Sequence, residues 1–475
     1  MTTHLLVRNP RTGENDADIP VASREDIDTI AARLKQSQPE WWAQGLDHRI
    51  SVLQSWKEQI LAAADEIGEA LCVDTGRRML SLFEVSNTIG SIDQWSDQAP
   101  QMIQGASGQS KSYPHIRYES QDLPYPLVGV ISPWNFPLTL SVIDIFPALL
   151  AGCSVIVKPS EITPRFIKPL MKTIEAVPEL QKVLHFVTGA GETGAALIDV
   201  SDIVCFTGSV ATGRKVAVQA ARNFIPAFLE LGGKDPLIIL GDADLDDAVT
   251  AALRGSVINA GQACQSIERI YVHNSVLDDF VKRLTRRAQE TPLNTTDIHK
   301  GAIGPLIFLQ QAKIIQHQLD DALRKGATIC TGGKIENHGG LWCQPTVLTG
   351  VNHSMDIMRE ETFGPIMPVM GFDTTEEVID LANDTKFGLS AGIMGADEKE
   401  AMEIGTQINA GAISISDASL TTVFRDAEKN AFKLSGMGGS RMGPTALKRF
   451  YRRKALIISS AKPVPISMFD ESNAP

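Results

Sequence analysis

The stretch Leu127-Val128-Gly129-Val130-Ile131-Ser132-Pro133-Trp134-Asn135-Phe136-Pro137 joins a short apolar run to a proline-rich turn. Such a run, bounded by a turn, is the form of a strand buried on both faces. The form returns at 154–157, 185–188, 202–206 and 227–231, with helical patterns between, as at 165–176 and 212–223. Strands alternating with helices read as successive βαβ units, so an α/β fold with a parallel sheet is expected. Open sheets of this kind bind ligands beyond the carboxyl ends of their strands. The residues just past those ends are the first candidates for a site.

Outward from this block, helical patterns at 24–38, 46–74 and 80–99 precede it. Residues 105–126 are polar with alternating Tyr113, Ile116 and Tyr118, and read as a β-hairpin arm. A second α/β block begins at Pro236, with strands at 237–240 and 267–272 and helices at 245–259 and 276–290. No internal repeat of 20–50 residues stands out, and 469–475 read as a frayed tail.

At 475 residues the chain is long for one core, so two or three domains are expected, and 43% hydrophobic content can fill them. A formal charge of -12 argues against non-specific binding to nucleic acid or anionic membrane. The basic cluster Lys448-Arg449 with Arg452-Arg453-Lys454 reads as a solvated or inter-subunit face. Six scattered cysteines without a Cys-x-x-Cys pair suit a reducing compartment. The start lacks the pattern of a signal peptide, and the longest apolar run, 146–157, is too short for a bilayer and is broken by Pro147 and Gly152. A cytoplasmic protein is the expectation. None of the nine histidines has metal-ligand spacing, so no metal is expected.

Three segments carry chemistry. Asn259-Ala260-Gly261-Gln262-Ala263-Cys264 offers a thiol with small neighbours, and a thiolate adds readily to a carbonyl. Taken alone, Cys264 reads as a buried structural thiol. Glu230-Leu231-Gly232-Gly233-Lys234 puts a carboxylate at a strand end, where it can activate water; its plain reading is a salt-bridged carboxylate at a strand terminus. Asn135 offers an amide for an oxyanion, or a turn cap. Together they point to covalent carbonyl chemistry through a thiol.

With Lys158-Pro159-Ser160-Glu161, Phe206-Thr207-Gly208-Ser209 and Glu360-Glu361-Thr362-Phe363-Gly364-Pro365, these segments resemble the aldehyde dehydrogenase superfamily, in its order and approximate spacing, from about residue 7 to about 457. The resemblance implies NAD(P)-dependent oxidation of an aldehyde to the acid through a cysteine thioester. It casts Cys264 as nucleophile, Asn135 with a backbone N–H as oxyanion holder, and Glu230 as the base for the hydrolytic water. Glu230 also separates hydrolytic from coenzyme A-acylating relatives. Trp134, Lys158, Ser160, Glu161, Gly191, Gly208, Ser209, Leu231, Glu361 and Phe363 then bind the cofactor. A carboxylate at Glu161 accepts the ribose hydroxyls and repels a 2'-phosphate, so NAD is expected, with NADP still open. The phosphates fall to Gly208 and Ser209 at a helix start, although Gly189-Ala190-Gly191-Glu192-Thr193-Gly194 matches the Gly-x-Gly-x-x-Gly pattern literally. Glu361 and Phe363 are given the nicotinamide ribose and the nicotinamide.

The resemblance implies a Rossmann-type cofactor domain (1–105 and 127–232), a catalytic domain (233–430) and an oligomerisation arm (106–126 and 445–468), in a homodimer or homotetramer. One segment departs from the family. Where relatives have Pro-Phe-Gly-Gly before Lys-x-Ser-Gly, this chain has Glu428-Lys429-Asn430-Ala431 before Phe432-Lys433-Leu434-Ser435-Gly436, and Ser416 replaces a strand-ending Asn. The expected tunnel wall, Phe136, Leu140, Ile143, Gln265 and 421–424, is mostly apolar and has no arginine placed for a second carboxylate. An uncharged aliphatic or aromatic aldehyde is therefore expected. Two other readings are a scaffold retained for structure or binding, which the intact catalytic set disfavours, and a cofactor-free cysteine hydrolase, which needs a histidine base beside Cys264.

Overall fold

The computed structural model describes residues 3–103 and 105–474. Residues 1, 2 and 104, within the expected cofactor domain, and 475, in the expected tail, lie outside the described residues.

The first sheet has six strands in the order Gly436–Met437, Ala227–Glu230, Ile203–Thr207, Leu127–Ile131, Ser154–Lys158 and Leu184–Phe186. All pairs are parallel except the edge pair made by Gly436–Met437. Leu127–Ile131, Ser154–Lys158 and Ile203–Thr207 are buried at every residue, which explains their continuous apolar runs. One face is covered by Arg24–Ala43, Gly191–Val200 and Val210–Arg222, the other by Leu46–Ala62, Met79–Met102, Ile145–Ala151 and Ile167–Glu175. Close packing demands a small residue in the central strand: a Cβ on Gly129 would meet Ser201 Oγ at 2.3 Å. From Leu127–Ile131 the chain runs outward on one side, then returns to Ile203–Thr207 on the other. This switch of direction opens a crevice at the carboxyl ends of those two strands.

The second sheet has seven strands, ordered Thr328–Thr331, Thr346–Thr349, Ile366–Phe372, Ile267–His273, Asp235–Ile239, Ser390–Met394 and Ala412–Ile415. Its pairs are parallel except at the Thr328–Thr331 edge. The loops leading into Asp235, Ile267 and Ile366 face the crevice of the first sheet. A third sheet pairs Tyr451–Ser459 with Ile116–Pro124 over nine residues, and Ser107–Gln109 adds to the latter.

The helix expected over 46–74 is two, Leu46–Ala62 and Ala64–Thr75, broken at Ala63. The bend lets Trp56 and Ile60 from one piece and Ile67 and Leu71 from the other enter the same core. Apolar spacing continues through the break, so the pattern does not betray it. The tail carries short 3-10 turns at Ile466–Phe469 and Glu471–Asn473.

Candidate active site

A crevice of about 680 Å³ lies between the strand ends of the first sheet and the loops of the second. That is within the usual range of small-molecule sites, roughly 300–1,000 Å³. Cys264 and Asn135 line it together with Trp134 and Leu231. So do Lys158, Ser160, Glu161, Gly191, Gly208, Ser209, Glu361 and Phe363. Glu230 alone of the expected residues sits in an adjoining pocket, with Ala431, Gly438 and Arg441.

The thiol is presented by a strained turn. Asn259 and Ala260 both have φ of 54°, and Gly261 follows at 71°. A Cβ on Gly261 would stand 2.1 Å from the Gly364 carbonyl oxygen, so only glycine passes there. Hydrogen bonds hold the turn: Asn259 Nδ2 donates to the carbonyls of Gln262 at 2.9 Å and Asn135 at 3.1 Å. Asn135 Nδ2 donates to the Gln262 carbonyl at 3.0 Å, and its amide carries a second N–H. Burial, with Glu230, Asp235 and Glu361 adding to it and Arg441 opposing, pushes the Cys264 thiol up to about 12. The resting thiol is therefore protonated at neutral pH, and a base has to take its proton.

Two residues far upstream set the Asn135 loop, and no sequence pattern marked them. Arg77 donates to the Asn135 carbonyl at 2.9 Å and to Glu84 Oε1 at 2.8 Å. Glu84 Oε2 accepts the N–H groups of Leu138 and Thr139, each at 3.0 Å, at the start of the helix Pro137–Val142. Burial raises the Glu84 carboxyl and lowers the Arg77 guanidinium, while their pairing acts against both shifts. Removing one partner of such a pair costs about 3–5 kcal/mol.

Glu230 ends the strand Ala227–Glu230, opposite Gly436. Burial raises its carboxyl above the ordinary range, and the charges of Arg441 and Lys429 oppose the rise. A base with a raised pKa is better matched to work near neutral pH.

On the cofactor side, Ser209 caps the helix Val210–Arg222 by accepting the Thr212 N–H at 3.3 Å, so the helix starts two residues before the expected position. Other first-turn N–H groups have no acceptor within the helix and would suit a polyphosphate. The literal Gly-x-Gly-x-x-Gly segment is occupied otherwise: the Gly189 carbonyl accepts from Lys158 Nζ at 2.9 Å, and Thr193 packs where a Gly189 Cβ would be. Lys158 also lies 3.3 Å from Glu161. Glu361 accepts the Gly233 N–H at 3.1 Å, and burial pushes its carboxyl up to about 8. Gly232 leaves room for it, since a Cβ there would lie 2.5 Å from both Glu361 oxygens. Phe363, at φ 52°, sets its ring edge-on to Trp134 at 5.4 Å. That turn is clamped by buried Glu268, which accepts the Thr362 and Phe363 N–H groups at 2.7 Å each and pairs with Lys234 at 2.8 Å. Bare glycine backbone, a helix start and two carboxylates fit a dinucleotide.

The substrate side differs from the expected apolar wall. Leu140 lines the crevice, and Ile143 lines a narrow slot beside it with Arg425 and Arg441. Thr421 donates to Gln265 Oε1 at 2.9 Å, and the Thr421 carbonyl accepts from Lys429 Nζ. Arg425, one residue beyond the expected wall, thus brings a cation to that slot, and Lys429, in the departing segment, brings another to the Thr421 carbonyl. Phe136 turns its ring beneath the Arg77 guanidinium, 4.4 Å away.

A thiol lining a crevice whose residues fit a dinucleotide, on an α/β scaffold, is the arrangement expected of a cysteine-dependent oxidoreductase. The chain belongs to the aldehyde dehydrogenase family, whose model matches residues 2–456. It is an NAD(P)-dependent aldehyde dehydrogenase. The solved structure "Putative Aldehyde Dehydrogenase PutA from Anabaena variabilis" is 51% identical, with a TM-score of 0.95 over 98% of this chain and all of that one. Lactaldehyde dehydrogenase of Escherichia coli is 32% identical, with a TM-score of 0.92 over 97% and 96% of the two chains. The 3,6-anhydro-alpha-L-galactose dehydrogenase of Streptomyces coelicolor is 33% identical over 96% of this chain and 93% of its own. Among the described residues no helix is long and apolar enough to cross a membrane, and no group of three or more His, Cys, Asp or Glu side chains could hold a metal ion.

Proposed function

We propose that this chain oxidises an aldehyde to its carboxylic acid through a thioester on Cys264, with NAD preferred over NADP. The observation that carries the reading is the meeting of Cys264 and Asn135 in one crevice with Glu230 beside it. The thiol proton passes to solvent as the aldehyde binds. The Cys264 thiolate then adds to the aldehyde carbon. The free N–H of Asn135 and the Cys264 backbone N–H stabilise the oxyanion, a contribution of about 10² to 10³ in rate for one donor. The bound nicotinamide ring supplies a hydride acceptor. Glu230 next deprotonates water, which attacks the thioester carbonyl; the C–S bond breaks and the acid leaves.

Glu161 accepts the adenosine ribose hydroxyls, Gly208 and Ser209 receive the pyrophosphate, and Glu361 and Phe363 hold the nicotinamide end. Residues 1–105 and 127–232 form the cofactor unit, 233–430 the catalytic unit, and 106–126 with 445–468 the arm. The arm's exposed Leu456 and Ile457, with Val464, Ile466, Met468 and Phe469 beyond its strand, would be covered in a homodimer or homotetramer. A cytoplasmic location remains part of this reading. The relatives are named for different aldehydes, and an uncharged substrate was expected because the tunnel wall is mostly apolar and has no arginine placed for a second carboxylate. Arg425 and Lys429 bear on the second of these reasons.

The test is NADH formation over a panel of hexanal, benzaldehyde, acetaldehyde and succinic semialdehyde, with NAD and with NADP. Turnover of at least one aldehyde, faster with NAD, is expected. Hydrolysis of esters without any aldehyde oxidation would favour the cysteine hydrolase instead.

A further inference from the structure

We propose that Arg425 and Lys429, with Arg441 behind them, form an anion subsite, and that the substrate is an aldehyde bearing a carboxylate at its far end. The inference rests on the aldehyde-oxidising reading and names the substrate class for that site.

Lys429 stands where the resembled family has the Phe of its Pro-Phe-Gly-Gly run. Its ammonium donates to the Thr421 carbonyl and is close enough to Glu230, Cys264 and Arg425 for their charges to act on it. Arg425 donates to Ser91 Oγ at 2.7 Å and Asn87 Oδ1 at 3.0 Å, both neutral acceptors. Among the described residues, no carboxylate lies within ion-pair distance of Arg425 or Lys429. Of the neighbouring acids, Glu230 acts on Lys429 through its charge without reaching ion-pair distance, and the others are engaged elsewhere. Asp426 accepts from Gln98 at 3.1 Å, and Glu428 accepts the Thr445 N–H at 2.9 Å. Asp144 is shared by Arg441 at 3.0 Å and by Arg449. Arg441 is only 6% exposed, and its Nε has no hydrogen-bond partner.

Arg425 and Arg441 both line the slot beside Ile143, which has about 20 Å³ of room. That is space for one carboxylate oxygen, about the size of a water molecule, and excludes a ring. Burial lowers the pKa of both Arg425 and Lys429. Half-buried cations without an anion are costly, and a carboxylate gives guanidinium and ammonium donors the charged acceptor they lack. A neutral aldehyde leaves them unpaired. Discrimination then comes from the far end of the substrate, away from the carbon that Cys264 attacks.

The experiment compares kcat/KM for glyoxylate, succinic semialdehyde and adipic semialdehyde with that for pentanal at saturating NAD. At least one oxo acid should exceed pentanal by roughly 10- to 100-fold, the range for a hydrogen bond to a charged group. Arg425→Met and Lys429→Met should each cut this ratio about tenfold or more, chiefly through KM, while Lys429→Arg retains most of it. Lys429→Met, which loses one backbone contact, serves if Arg425→Met does not fold. Succinate and glutarate should compete with the oxo acid, and their binding to the resting enzyme, followed by calorimetry, should weaken in both Met variants. Pentanal matching every oxo acid in the wild-type enzyme would overturn the subsite. So would equal losses on both substrate types in the variants, which would give Lys429 a role on Glu230 alone. A preference for glyceraldehyde 3-phosphate over every oxo acid would overturn the carboxylate. If no aldehyde were oxidised, the proposed activity would fall, and dicarboxylate binding would still decide the subsite.

Discussion

The two walls of the crevice are built on different principles. The proposed cofactor wall is made of strand ends and the turns just beyond them: Trp134 and Asn135 after Leu127–Ile131, Ser160 and Glu161 after Ser154–Lys158, Gly208 and Ser209 after Ile203–Thr207. Backbone geometry fixes these positions, so short local motifs suffice to mark them. The proposed substrate wall is made by the long segment after Ala412–Ile415, which is laid against the helix Met79–Met102 through Arg425 and against the thiol loop through Thr421. Here side chains from remote parts of the chain decide the chemistry. A scaffold can keep its cofactor wall while changing what it oxidises by rewriting that one segment.

The largest test of this division is Cys264→Ala. Oxidation should fall by at least about 10⁴, measured as NADH formation, while NAD affinity measured by fluorescence titration stays within a few-fold of wild type. Joint loss would mean that the two walls do not act separately. Lys234→Met probes the clamp between them. Glu268 would keep its two backbone donors but lose its buried cation, and urea unfolding should show a loss of about 3–5 kcal/mol. A change under 1 kcal/mol would mean that the Glu361-Thr362-Phe363 turn stands without the ion pair. Asn135→Ala should lower kcat by about 10² to 10³ with little change in NAD binding; unchanged kcat would reduce Asn135 to a loop-builder.

A subtler test is the pH profile. Burial raises the Glu230 carboxyl, and the working form of a base is deprotonated. Turnover should therefore rise with pH through a limb above the ordinary carboxylate range, and Glu230→Gln should abolish that limb. Lys429→Met, by removing a cation that opposes the rise, should move the limb to higher pH. A downward move would contradict the contact. The smallest expected effect belongs to the cofactor wall: Glu161→Ser should narrow the NAD-over-NADP ratio in kcat/KM, leaving kcat with NAD nearly the same. An unchanged ratio would mean that the adenosine ribose is held by other groups.

What the sequence made legible follows the same division. The α/β class could be read because strands buried on both faces leave uninterrupted apolar runs, as in Leu127–Ile131. The break at Ala63 could not, because both helices on either side feed one core and keep one spacing. The Arg77 and Glu84 brace was invisible because it reaches Asn135 across more than 50 residues. Lys429 could be seen only as a departure from the family pattern, and the charge it brings to the wall depends on a loop path that no local pattern encodes. Arg425 lay one residue beyond the segment read as tunnel wall.

The central claim is a thioester on Cys264 that water activated by Glu230 resolves. Rapid mixing of Glu230→Gln with NAD and an oxidised aldehyde, followed by acid quench and peptide mass analysis, tests it directly. The account predicts a burst of NADH approaching one per active site, a steady rate lowered by about 10² to 10⁴, and a peptide containing Cys264 heavier by the acyl group. A burst with no acyl group on Cys264, or an acyl group on another residue, would contradict it.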